Sequence, residues 1–201
     1  MMQSKGWPEL VGAVKLGKGD YNGTNCLRAW FNNRDVNLKP DDLVIFNIGV
    51  NDCIYRKDKL IQYNYVTLLM REAERIDDQE SYGHFLEKQE LVKRKTPEEL
   101  FQLFTFEEFE EIMDKIFAKV KGQGIVLSVI GVRPTSEKIG WAVKELIRTN
   151  EILERLAKKY DLVYVDLWNH PVECTEDVHP SQEGFREIAR LLRPFLRSRG
   201  H

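Results

Sequence analysis

Leu43-Val44-Ile45-Phe46-Asn47-Ile48-Gly49-Val50-Asn51-Asp52 is the stretch that decides the fold. Its first six residues are mostly apolar and rich in β-branched side chains, without strict alternation. That pattern suits a strand covered on both faces, as in a parallel sheet. The strand ends in Gly-x-Asn-Asp, which sets a side-chain amide at the carboxyl edge of the sheet, where open α/β sheets carry out their chemistry.

Two further segments have the same character. Gly124 to Ile130 is one, closed by Gly131-Val132-Arg133-Pro134, and Leu162 to Leu167 is the other. Helical patterns separate them. Thr105-Phe106-Glu107-Glu108 is a capping box, after which Phe109, Ile112, Met113, Ile116, Phe117 and Val120 form one apolar stripe. Gly122 and Gly124 end that helix. Trp141, Leu146, Ile147, Ile152, Leu153, Leu156 and Ala157 mark a second helix. Phe185, Ile188, Ala189, Leu192, Phe195 and Leu196 mark a last one, opening after Pro180-Ser181. Strand and helix in alternation imply right-handed crossovers and a doubly wound layer structure. Upstream, Trp7 to Val14 reads as a short helix with Pro8 in its first turn. Val14-Lys15-Leu16 reads as a weak strand, Gly17, Gly19 and Gly23 as loop, and Cys26 to Phe31 as helical.

The segment from about 54 to 104 interrupts this order. It is charged, and Val66, Leu69, Ala73 and Ile76 recur at helical spacing. Thr96-Pro97-Glu98-Glu99 reads as another capping box with proline at the first helical position. The segment is a helical insertion, either a lid over the carboxyl edge or an accessory or dimer-forming element.

With 201 residues the chain suits one domain spanning 1–201. Its net charge of -2, with acids and bases nearly balanced, excludes the basic stripe of a nucleic-acid binder. No apolar run approaches a membrane span. Cys26, Cys53 and Cys174 form no CxxC and no zinc pattern. A cytoplasmic location is the default expectation, subject to any signal in a missing N-terminal segment. Composition leaves the oligomeric state open.

Near the far end lies Glu176-Asp177-Val178-His179-Pro180, just before the last helix. With Gly49-Val50-Asn51-Asp52 it reads as two pieces of one hydrolytic site. The alternatives are plain: Asn-Asp after a strand can be only a turn, and a single histidine can be a surface or capping residue, as His84, His170 and His201 are expected to be.

From Trp7 to Leu196, in order and spacing, the chain resembles the SGNH (GDSL-type) esterases and acylhydrolases, named for Ser, Gly, Asn and His in four blocks. The resemblance implies a flavodoxin-like three-layer α/β/α sandwich with a parallel sheet, and an acyl-ester hydrolase needing no cofactor and no metal. Small-molecule or carbohydrate esters, acetyl esters included, would be its substrates. Tyr21-Asn22-Gly23-Thr24-Asn25 resembles the glycine block, so Gly23 would offer its backbone N–H to an oxyanion. Asn51 resembles the side-chain oxyanion donor, with Gly49 and Asp52 supporting its loop. His179 matches the general base. The family's orienting acid stands three residues before the histidine, where this chain has Glu176. Glutamate can do the same electrostatic work with a different reach, and Asp177 is the alternative.

The departure is the nucleophile. No Gly-Asp-Ser occurs, and no strand precedes Trp7 to carry one. Only Ser4 precedes the glycine block. Either the chain is an N-terminally shortened esterase, the expectation favoured here, or it is a catalytically inactive SGNH-like binding or interaction module.

Overall fold

The computed structural model describes residues 7–11, 38–96, 98–132, 140–176 and 179–197. In chain order the elements begin with α1 (Trp7–Leu10), β1 (Val44–Asn47), β2 (Tyr55–Arg56), α2 (Lys59–Arg75), α3 (Gln79–Arg94) and β3 (Phe101–Gln102). They continue with α4 (Phe106–Lys119), β4 (Gly124–Leu127), α5 (Val143–Lys159), β5 (Val163–Val165), β6 (Cys174–Glu176), β7 (His179–Pro180) and α6 (Gln182–Arg197).

Strands β1, β4 and β5 form a parallel sheet in that order. Val44 pairs with Gly124 and Phe46 with Val126; Ile125 pairs with Val163 and Leu127 with Val165. Alternation along the strands splits the core in two. Ile45, Ile125, Leu127, Val163 and Val165 meet Ile188, Leu192 and Phe195 of α6, and Val11 just after α1. Val44, Phe46 and Val126 meet Phe109, Met113 and Phe117 of α4 and Leu153, Leu156 and Ala157 of α5. The rings of Phe46 and Phe117 stand 5.1 Å apart. The result is the expected three-layer α/β/α sandwich.

The three strands fall where expected but are shorter, and beyond the ladder single bonds such as Ser128 N–H to Val165 O (3.0 Å) join the segments. The capping box at α4 is complete: Glu108 N–H donates to Thr105 Oγ1 (3.1 Å) and Thr105 N–H to Glu108 Oε2 (2.7 Å). Between α4 and α5 run three ion pairs, Glu107–Arg148, Glu110–Arg155 and Asp114–Lys159. All are solvent-exposed and screened by water, so the apolar burial beneath them holds the layer.

Two expectations need correction. Thr96 to Glu99 opens no helix. Thr96 N–H donates to Glu99 Oε2 (2.6 Å) and Glu99 N–H to Thr96 O (3.2 Å), giving a turn that runs straight into β3. Phe101, Leu103 and Phe104 follow at once and are buried, so the core draws the chain inward before a helix could form. Trp141 and Ile147 do not belong to the apolar face of α5. Trp141 sits in a 3-10 turn at Gly140–Ala142 and is 53% exposed, and Ile147 is 39% exposed. The buried face runs instead through Leu146, Thr149, Asn150, Leu153 and Leu156.

Helices α2 and α3 occupy the inserted region and pack on each other, with Gln89 Nε2 donating to Thr67 Oγ1 (2.7 Å) between them. Val66, Leu69, Ala73, Phe85 and Val92 are buried in the same core as α4, so the helix pair is built into that layer. Val14 to Leu16 and Cys26 to Phe31 lie outside the described residues.

The capping box predicts a defined cost. Thr105→Ala should lower unfolding free energy by about 1 kcal/mol in a urea titration, with an unchanged m-value.

Candidate active site

The site begins at the turn that ends β1. Gly49 has φ +113°, a conformation that L side chains rarely adopt. A Cβ there would stand 2.9 Å from Thr149 Cγ2. Dihedral and space together disfavour any other residue, and α5 is what presses from beneath. Asn150, next on α5, accepts the Val129 N–H at Oδ1 (2.8 Å) and so fastens the end of β4 to the same helix.

Past Gly49 the chain places Asn51 half-buried and Asp52 and Cys53 fully buried. The β2–β3 ribbon binds this loop. Phe104 N–H donates to Asp52 O (3.0 Å), and Gln102 Nε2 to Cys53 O (2.5 Å). Arg56 Nη2 donates to Asn51 Oδ1. Burial lowers the Arg56 pKa from its ordinary value, while Tyr65 and Asp58 favour its charge. Cys53, beside Asn51, is no alternative nucleophile: burial, then the Asp52 charge, push its thiol pKa up, away from the reactive thiolate.

The second candidate segment follows β5. Parallel pairing makes β1 and β5 end at the same edge of the sheet, with β4 between them. Ser128, buried at the end of β4, accepts the N–H groups of Leu167 (2.7 Å) and Trp168 (3.0 Å). Gly131 passes so close to Trp168 that a Cβ would stand 2.2 Å from its carbonyl oxygen. Asp166 then caps the turn by accepting from Trp168 N–H and Asn169 N–H. Strands β6 and β7 form a hairpin in which Glu176 pairs with His179. His179 is exposed, and its carbonyl accepts from Thr175 Oγ1 (3.2 Å). Ser181 caps α6 by accepting the Gly184 N–H (3.1 Å), as the position of the motif before the last helix requires.

Gly23, Asp177 and Ser4 lie outside the described residues. The described serines all serve structural bonds. Ser81 Oγ donates to Asp78 Oδ2, Ser181 Oγ to Glu173 Oε1, and Ser128 holds the sheet edge. A cleft of about 170 Å³ between α4 and α5 contains none of the site residues, and its facing Glu and Arg side chains make it an ion-pair seam.

The match to the family model for the GDSL-like Lipase/Acylhydrolase family runs over residues 4–187, nearly the whole chain. The chain belongs to that family. No curated protein matches it. Membership of the GDSL-like family carries the fold and a hydrolase of the SGNH type; among the described residues no helix is long and apolar enough to cross a membrane.

Two features of this GDSL-like chain escaped the sequence reading. Arg56 sits on a two-residue strand with no periodicity to reveal it. The sequence presents His170 only as a surface or capping residue; its Nε2 meets Glu187 Oε1 at 2.6 Å, and Arg190 donates to both oxygens of that carboxylate. Hydrogen bonds from Arg190 and then His170 hold the Glu187 pKa down at about 2, from an ordinary 4.5.

Two outcomes are expected. Gly49→Ala should cost at least about 1–3 kcal/mol in thermal unfolding. A depressed carboxyl pKa gives stability that is present above the unfolded value and is lost as pH falls through the folded one. The Glu187 contribution should therefore fade as pH drops from about 4.5 towards about 2, and Glu187→Gln should flatten that part of the stability profile.

Proposed function

We infer that this GDSL-like protein is a serine esterase that cleaves small acyl esters, acetyl esters of small molecules or carbohydrates among them. The observation that carries the reading is the Gly49–Asn51 turn, which ends a parallel strand and offers a side-chain amide fixed at its oxygen end.

In this reading a serine Oγ attacks the ester carbonyl, and His179 takes its proton. Glu176, which the hairpin pairs with the histidine position, or else Asp177, steadies the imidazole and its imidazolium. The Asn51 amide and the Gly23 N–H receive the negative charge that develops on the carbonyl oxygen, each such donor contributing about 3 kcal/mol. His179 returns the proton to the departing alcohol. Water then attacks the acyl-serine with the same base and the same donors. Gly49 and Asp52 hold the loop, the glycine through its backbone and the aspartate through its place in the core. Ser4, the one serine ahead of the glycine block, is a weak candidate for that nucleophile. The whole chain, 1–201, works as one domain in this account, and no cofactor enters it. The cysteine pattern favours a reducing, cytoplasmic setting.

A second reading, a non-catalytic module on the same scaffold, draws support from the three described serines, all tied into structural bonds.

Hydrolysis of 4-nitrophenyl acetate separates the two. The esterase reading expects turnover by the purified protein and a loss of about 10³-fold or more in His179→Ala. Equal rates in the two proteins would remove His179 from the mechanism, and absence of any turnover would favour the binding module.

A further inference from the structure

The geometry points to Arg56 as the positioning residue that sets which end of the Asn51 amide faces the substrate and strengthens it as a donor. The inference rests on reading Asn51 as the oxyanion donor.

An asparagine side chain carries an acceptor oxygen and a donor NH₂ of nearly the same shape, and its terminal torsion is broad and roughly two-fold. Left to itself, such a group can turn its oxygen towards a developing oxyanion and repel it. Arg56 removes that choice. A guanidinium has five N–H donors and no acceptor, so the amide atom it meets through Nη2 is the oxygen, Oδ1. The NH₂ end is turned the other way. The bond is also charge-assisted. Drawing electron density towards Oδ1 polarises the amide and makes its N–H groups better donors, as happens along any hydrogen-bonded chain.

The chain geometry keeps the two residues in register. Arg56 pairs with Phe101 across the β2–β3 ribbon, and Phe101 is buried. The same ribbon grips the Asn51 loop, through Phe104 N–H to Asp52 O and Gln102 Nε2 to Cys53 O. The donor and its orienting cation therefore move together. Asp58 and Tyr65 favour the charged guanidinium against the cost of its burial. A surface arginine reaching for an anionic substrate would need none of these ties.

The test compares wild type with Arg56→Met, Arg56→Lys, Asn51→Ala and the Asn51→Ala/Arg56→Met double variant. Two readouts are taken: kcat and KM on 4-nitrophenyl acetate, and the Asn51 side-chain NH₂ pair in a ¹H–¹⁵N spectrum. Arg56→Met should lose about 10–100-fold in kcat, with KM nearly unchanged. Arg56→Lys, which keeps one charged donor, should recover part of that loss. In the double variant the second substitution should cost nothing further. The Asn51 NH₂ resonances should move in Arg56→Met whether or not the protein turns over. Additive losses, or an Asn51 NH₂ pair unmoved by Arg56→Met, would overturn the inference. A rise in KM alone would do so too, and would make Arg56 a substrate contact. Activity unaffected by Asn51→Ala would instead sink the oxyanion reading, and the spectrum alone would then decide the role of Arg56.

Discussion

Everything at the carboxyl edge depends on the close approach of Gly49 to Thr149. The strand before it is fixed by pairing to β4 and by burial on both faces. The helix beneath it is fixed by Leu146, Leu153 and Leu156 in the core. Between these two rigid bodies there is room for a backbone and not for a side chain. The chain crosses there as glycine at positive φ, where any side chain would be strained. That crossing sets where Asn51 leaves the sheet. A looser turn would leave the amide to wander, and an amide that wanders gives little stabilisation to a charge that develops at one point.

The inserted region gains meaning from the same constraint. Its two helices are sunk into the main core, while the short ribbon whose strands flank them returns to the Asn51 loop. Each of three residues bonds one residue of that loop: Phe104 bonds Asp52, Gln102 bonds Cys53 and Arg56 bonds Asn51. A charged segment of unclear purpose in the sequence thus becomes the brace of the candidate oxyanion donor. The side chains of Asn51 and Arg56 form a polar pair that needs this brace, because a half-buried cation without a fixed acceptor is costly.

Much of this was legible in the residues. The three parallel strands announced themselves as short apolar runs without alternation. Helix α4 did so through its capping box and stripe, and α6 through its stripe alone. The Gly-x-Asn-Asp element follows the first parallel strand, and the histidine block stands just before the last helix. What sequence could not show followed from physics that leaves no period. Strands β2, β3, β6 and β7 have two or three residues each, too few for alternation to register. Thr96 to Glu99 carried the local chemistry of a helix start, but the burial of Phe101, Leu103 and Phe104 overrode it. Thr149 and Asn150 are polar residues on a buried helical face, and only their spacing from Leu146 and Leu153 could have marked them. The partnership of Arg56 with Asn51, and of His170 with Glu187, is made by side chains and is invisible to pattern.

The central claim is that the β1 turn delivers an amide N–H to the oxygen of a reacting carbonyl. A crystal structure of the protein after treatment with a fluorophosphonate tests it most directly, since the phosphonyl oxygen mimics the tetrahedral oxyanion. The account predicts a covalent adduct on a serine, with that oxygen within hydrogen-bonding distance of Asn51 Nδ2 and His179 beside the modified residue. An adduct whose phosphonyl oxygen lies away from Asn51, or a protein that the reagent leaves unmodified, would contradict it.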